Sequence, residues 1–222
     1  MAGGWTDAAE NALLDYELKA TAYTPGDKWA ALFTVSPTDA GAGGTEFTGG
    51  AYARQQLARA TGTWAAAAGA GSTNTPAVTF PQATANLGRA LTLCLMDAVT
   101  AGTVRHVLPM VTGTYKNCGV NTATDITNND IGCPAHGFVA NDVVRFFAVG
   151  GTLPAGLSTD TRYFVISTGL TTNTFRVSTT QGGAVVSTTA AGAGEVAKDA
   201  SFDVVLNSQL SFASGQVLVS LD

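Results

Sequence analysis

The sequence is short of charge, and of basic residues above all. Of 222 residues, 16 are Asp or Glu and 11 are Lys or Arg, a formal balance of −5. Neutralising phosphates takes clustered Lys and Arg, so the chain lacks the electrostatic footprint of a nucleic-acid binder. Metal-binding residues are scarce too, with three Cys and two His. Cys118 has no second Cys or His two to four positions away and Cys133 has only His136, which falls short of the paired ligand spacing of a structural zinc site. Asp125, Asp130 and Asp142 lack the dense alternation of a calcium loop. Apolar runs such as Ala30 to Phe33 and Ala65 to Ala68 fall far below the ~20 residues of a membrane-spanning helix. The start, Met1-Ala-Gly-Gly-Trp5, has no basic region leading into an apolar stretch. A secretory signal is therefore not expected, and synthesis in a cytoplasm is.

What the chain has in excess is small side chains: 37 Ala, 32 Thr and 26 Gly fill 95 positions. With 45% hydrophobic content and a low net charge, it is expected to fold rather than stay disordered. Its length allows one large domain or two small ones.

One helix is expected near the start. Thr6 offers a capping hydroxyl and Asp7 and Glu10 put negative charge in the first turn. Leu14 and Leu18, flanked by Leu13 and Glu17, form a narrow apolar stripe, so the helix should run from Asp7 to Lys19. Strand signals follow. Trp29, Ala31 and Phe33 alternate along Lys28 to Thr34, and Ala51 to Arg59 reads as a second strand. Ala65 to Thr75 is of low complexity and reads as a surface loop, whereas Pro76 to Pro81, limited by Pro at both ends, reads as a short edge strand. Arg89 to Ala98 and Val104 to Thr112 are expected to be central strands joined by a hairpin. Ser201 to Leu206 and Gln216 to Asp222 read as strands around a Ser214-Gly215 turn, with Val217, Val219 and Leu221 on one face. A chain that ends within a strand is expected to be tied into a sheet.

Between Asn117 and Gly194 the character changes. These 78 residues hold seven charges and carry strand signals of their own at Val143 to Phe147, Thr161 to Ser167 and Thr174 to Ser178. We read 117–194 as an inserted small β domain interrupting a host domain of residues 1–116 and 195–222. The expected fold is mainly β: an antiparallel β-sandwich-like host with one N-terminal helix, plus the insert.

No catalytic constellation emerges. His106 alternates on a strand and is expected to be a partly exposed sheet residue, and His136, before Gly137-Phe138, is expected to bond backbone. Asp15 and Glu17 point to different helix faces. No glycine cluster leads from a strand into a helix with a following Lys. Catalytic, cofactor-binding and metal-ligating residues are accordingly none. Trp29, Trp64, Phe146, Phe147, Tyr163 and Phe164 could stack on a glycan, although alternation turns about half of such rings inward and core packing is the stronger expectation. Cys94, within Leu91 to Met96, reads as a small buried hydrophobe. Cys118 and Cys133 are either a disulfide, given an oxidising medium, or two unpaired thiols.

Five segments in order carry a resemblance: Glu10 to Asp15, Trp29 to Gly41, Gly49 to Arg54, Pro76 to Pro81, and Leu210 to Leu221. Together they resemble a short tailed-phage virion family usually labelled tail fibre protein. This chain departs from that pattern at Ala90 to Pro109 and by the insert. His136-Gly-Phe138, Asn141 to Val144, Leu153 to Leu157 and Thr161 to Val165 are similar to a small β module of exposed phage proteins, a pattern without the two cysteines. Their presence here points to a disulfide specific to this protein.

The resemblance implies a non-enzymatic virion structural protein on the particle surface, made in the host cytoplasm. With no heptads or long repeats to build a shaft, a compact capsid decoration or cement subunit is expected first. The alternative is a tail fibre or tail-tip component contacting the host. Implied partners are other virion proteins of capsid or tail, two further copies in a homotrimer, and a host-surface glycan or protein reached through the insert. No cofactor, nucleic acid or membrane span is expected.

Overall fold

The computed structural model describes residues 4–19, 22 and 25–220. Residues 111–200 form one compact unit, and residues 4–110 with 201–220 form a second, discontinuous one. The discontinuous unit begins with β1 (Gly4–Trp5), α1 (Asp7–Lys19), β2 (Lys28–Val35), β3 (Thr45–Glu46) and β4 (Gln55–Leu57). It continues through β5 (Gly71–Thr73), β6 (Val78–Thr79), β7 (Gly88–Ala90), β8 (Thr92–Met96) and β9 (Val104–Pro109). The contiguous unit holds β10 (Val111–Val120), α2 (Ala123–Asn128), β11 (Ile131–Gly132), β12 (Val143–Phe147), β13 (Tyr163–Ile166), β14 (Thr174–Ser178) and β15 (Gly192–Asp199). The chain then returns with β16 (Phe202–Val204), β17 (Ser211–Phe212) and β18 (Leu218–Ser220).

The mainly β class expected from the sequence is what the structure has. In the discontinuous unit the main antiparallel sheet runs β1-β9-β8-β2-β3, with β4 also paired to β2. Alternation sends Ala30, Leu32, Leu93 and Leu95 to one face and Ala31, Phe33, Cys94 and Met96 to the other. A sheet buried on both faces needs near-continuous apolar strands, which is why Leu32-Phe33 and Leu93 to Met96 stood out. Three two-stranded sheets, β7–β16, β6–β17 and β5–β18, each join an early segment to a late one.

Several local expectations change in this unit. Helix α1 has the expected bounds, and Lys19 pairs with Asp15 at 2.7 Å. Thr6, however, turns its hydroxyl to the Val104 carbonyl at 2.8 Å instead of capping. Leu14 and Leu18 are 55% and 75% exposed, and Ala9 is the buried residue of the helix. The Ala51 to Arg59 run pairs only over Gln55–Leu57. Before it, Tyr52 and Arg54 both donate to Glu46 at 2.8 Å, and the Tyr52 oxygen accepts from Leu32 N–H, so side chains replace the ladder there. The Arg89 to Ala98 run breaks at Leu91 into strands of two sheets. The low-complexity loop contains β5, and the C-terminal strands pair with β7 and β5 rather than with each other. Val217 is buried and Val219 half-buried, whereas Leu221 lies outside the described residues.

The contiguous unit is a closed antiparallel barrel in the order β10-β11-β14-β13-β12-β15. Closure leaves no open sheet edge. Its interior is filled by Val120, Ile131, Val144, Phe146, Phe175 and Val196, among others. Phe146 stacks on Phe175 at 6.2 Å and meets Tyr163 edge-on at 5.4 Å. Helix α2 was not expected. Its start is a capping box in which Thr122 accepts from Asp125 N–H and Asp125 accepts from Thr122 N–H, each at 3.0 Å. Among the described residues no helix is long and apolar enough to cross a membrane.

Small residues on β15 allow the Thr152–Pro154 segment to lie against the barrel wall. A Cβ on Gly192 would come within 2.5 Å of Thr152 O, and one on Gly194 within 2.5 Å of Leu153 Cδ2 and against Phe147 O. Gly194→Ala is therefore expected to lower barrel stability by about 1–3 kcal/mol through overpacking. Chemical denaturation checks this; an unchanged midpoint would show that the neighbouring segment yields freely.

Candidate functional site

Cross-strand register on the main sheet brings one group of residues together. Trp5 on β1 lies opposite His106 on β9, and His106 lies opposite Leu95 on β8. Lys28 on β2 lies opposite Leu57 on β4. Together with Trp64 and two arginines, Arg59 and Arg105, these residues line a pocket of about 290 Å³. Leu57, Leu95 and Val219 supply apolar wall.

The pocket is electropositive in an acidic chain. Among the described residues, Lys19, Arg54, Arg89, Arg145, Arg162, Arg176 and Lys198 hold carboxylates in salt bridges, seven of the eleven basic residues. Three of the remaining four, Lys28, Arg59 and Arg105, line the pocket. Lys28 Nζ donates to the Gly26 carbonyl at 2.7 Å. The nearby Asp27 carboxylate accepts from Arg59 N–H at 2.7 Å and from Gln56 Nε2 at 2.6 Å, and these bonds, the first above all, hold its pKa below the ordinary carboxylate value.

His106 is 5% exposed, a correction to the partly exposed position expected for it. Its ring meets the Trp5 indole edge-on at 4.6 Å. Burial, then Lys28 and Arg105, push its pKa down to about 4, so it is neutral at pH 7. His106 Nδ1 and Trp5 Nε1 are buried with no hydrogen-bond partner among the described residues.

The other singled-out residues serve structure. Phe138 N–H donates to His136 Nδ1 at 2.9 Å, which assigns the ring proton to Nε2, 3.3 Å from the Thr174 carbonyl. Asp125 caps α2, Asp130 pairs with Arg176 at 2.6 Å and Asp142 with Lys198 at 2.8 Å. Phe146 and Tyr163 are in the barrel core, Phe147 is buried beside Tyr115 at 5.1 Å, and Phe164 is half-buried. Trp29 packs at the second face of the main sheet, and Trp64 lines the pocket.

Cys94, Cys118 and Cys133 are free and buried. Gly119 pairs with Gly132, so the antiparallel register sets Cys118 opposite Cys133. Cys133 N–H bonds the Asn173 carbonyl at 2.7 Å, toward β14. The two cysteines are therefore a non-hydrogen-bonded pair across β10 and β11, the kind whose Cα atoms approach to about 4.5 Å. Burial, followed by the neighbouring Cys133 thiol, pushes Cys118 up to about 12, and burial raises Cys133 as well.

Sequence reasoning found His106 and Trp64 but not the site. Lys28, Arg59 and Arg105 are scattered along the chain, and only strand register gathers them.

Among curated proteins none matches the chain. A family model described as "Podophage GP4 fiber I protein gp80" matches residues 4–131, more than half of the sequence. That span takes in the chain from β1 to β11, including most of the residues that line the pocket. On that match, the chain belongs to the podophage GP4 fiber I protein gp80 family.

Proposed function

We propose that this protein is a non-enzymatic subunit of the fibre apparatus, displayed on the outside of a podophage particle and held there by other virion proteins. The family match over residues 4–131 carries the reading. The commitment of His136, Asp125, Asp130 and Asp142 to structural bonds agrees with a protein that acts by binding. In this reading the subunit is a homotrimer, and residues 117–194 are a module inserted for contact with the host surface.

Electron cryomicroscopy of the particle tests this directly. Density for the chain at tail-attached fibres is the expected result. A second reading, capsid decoration, is favoured by the lack of any shaft-forming element: the longest helix among the described residues has 13 residues and the longest strand 10. Density confined to threefold positions of the capsid lattice would replace the fibre reading with that one.

We also propose that Cys118 and Cys133 become joined once the particle meets an oxidising medium. A small-molecule disulfide would accept the two electrons, leaving as two thiols while one S–S bond forms. Mass mapping of purified particles should recover the Cys118–Cys133 peptide pair under non-reducing conditions. Three free thiols would remove the idea.

A further inference from the structure

We propose that the pocket between Trp5, Trp64 and three cations that form no ion pair among the described residues binds a sugar carrying an anionic group, and that it is a recognition site of the fibre. The inference rests on the fibre reading only for its biological purpose; the chemistry stands on the pocket itself. Lys28, Arg59 and Arg105 line it while seven other basic residues are held by carboxylates. Three like charges gathered in one cavity repel each other, Asp97 and Asp27 offset part of that repulsion at Lys28, and a bound anion would relieve the rest. Guanidinium groups match the two oxygens of a carboxylate or phosphate with paired hydrogen bonds.

The rest of the wall suits a sugar ring better than a bare ion. Trp64 and Trp5 supply aromatic surface for an apolar sugar face, and the Ser72 hydroxyl lies in the same lining. His106, 5% exposed, and Trp5 each keep a buried ring nitrogen without a partner among the described residues. Buried polar groups are rarely left unsatisfied, and hydroxyls of a bound sugar are suitable partners. A volume of about 290 Å³ stands at the small end of ligand pockets, which limits the occupant to about one sugar residue.

The test uses the full chain, with tryptophan emission and isothermal calorimetry as readouts. Glucuronate and glucose 6-phosphate carry the same ring with different anions; glucose and inorganic phosphate supply the ring and the anion separately. Saturable binding of at least one charged sugar is expected, weaker by about tenfold or more for glucose and for phosphate alone. Arg105→Gln and Lys28→Gln should each weaken binding by about tenfold, the loss of one charge-assisted contact. Trp64→Phe should weaken it less, and Lys116→Gln, at a basic residue that does not line the pocket, should leave it unchanged. Added salt should weaken it as well. Equal binding of glucose, no binding of either charged sugar, or affinity unmoved in Arg105→Gln with a native circular dichroism spectrum would each overturn the proposal. A chain imaged at the fibres that binds neither charged sugar would refute this inference alone. One that binds them but sits on the capsid would refute the fibre reading alone.

Discussion

Asp199→Ala is expected to lower the stability of the barrel by about 3–5 kcal/mol, the cost of removing one partner from a buried ion pair. Asp199 Oδ1 lies 3.1 Å from Arg145 Nε and Oδ2 lies 2.8 Å from Arg162 Nε. The Arg145 side chain is 0% exposed and that of Asp199 1%. Burial already draws the Arg145 guanidinium below its usual pKa, with Asp199 the main group opposing it. Deleting the carboxylate leaves a desolvated cation without that counter-charge, and the favourable Coulomb term is lost while the desolvation cost remains. Asp199→Asn keeps an acceptor oxygen and should lose less. Arg162→Gln removes the more exposed of the two cations, 31% against 0%, and should cost less than loss of the shared carboxylate. Urea unfolding separates the units, because Trp5, Trp29 and Trp64 all lie outside residues 111–200. With a urea dependence of about 1–3 kcal/mol per molar, the barrel transition seen by circular dichroism should shift by about 2 M. Tryptophan emission should hardly move. An unshifted barrel transition would mean that the pair contributes no net stability.

Acid should act on the other unit, through His106. Its pKa is about 4 in the folded chain against an ordinary 6.5. The folded state therefore keeps the ring neutral where the unfolded state takes up a proton. Stability is complete above pH 6.5, falls as the pH drops from 6.5 toward 4, and levels off below that. The loss amounts to about 3 kcal/mol at about 1.4 kcal/mol per pKa unit. Trp5, edge-on to this ring, is a built-in reporter. Urea titrations at pH 7 and pH 4.5, followed by tryptophan emission, should differ by most of that amount in the native chain. In His106→Gln, whose side chain does not titrate, the difference should shrink. Equal pH dependence in both proteins would show that His106 is not the group responsible.

Local signals sufficed where a segment's structure depends on its own residues. Asp7 and Glu10 in the first turn marked α1, and the strand signals of Val143 to Phe147 and Thr174 to Ser178 marked β12 and β14. They failed where partners are remote in sequence. Gly71–Thr73 is a strand because Leu218–Ser220 lies beside it, and nothing in an Ala/Gly/Ser/Thr stretch announces that. Leu14 and Leu18 have helical spacing, but spacing cannot show whether the fold offers a surface to cover them; they remain exposed. The pocket was illegible for the same reason as β5. Its cations belong to β2, β9 and the segment after β4, and only pairing on one sheet brings them into a common wall. His106 was read from its strand alone, which could not reveal the indole that buries it.

The first and last strands of the barrel, β10 and β15, are antiparallel neighbours, with Val111 opposite Asp199. Tension reaching the barrel through its two chain ends would thus pull the paired ends of adjacent strands apart. Hydrogen bonds in that arrangement open one after another, as a zipper does, rather than resisting together in shear. The other unit, however, holds the chain on both sides of the barrel and pairs its early strands with its late ones, so tension along the backbone is borne there first. Once that unit yields, up to 90 residues, those from Val111 to Ala200, could unzip to lengthen the tether and absorb further mechanical work.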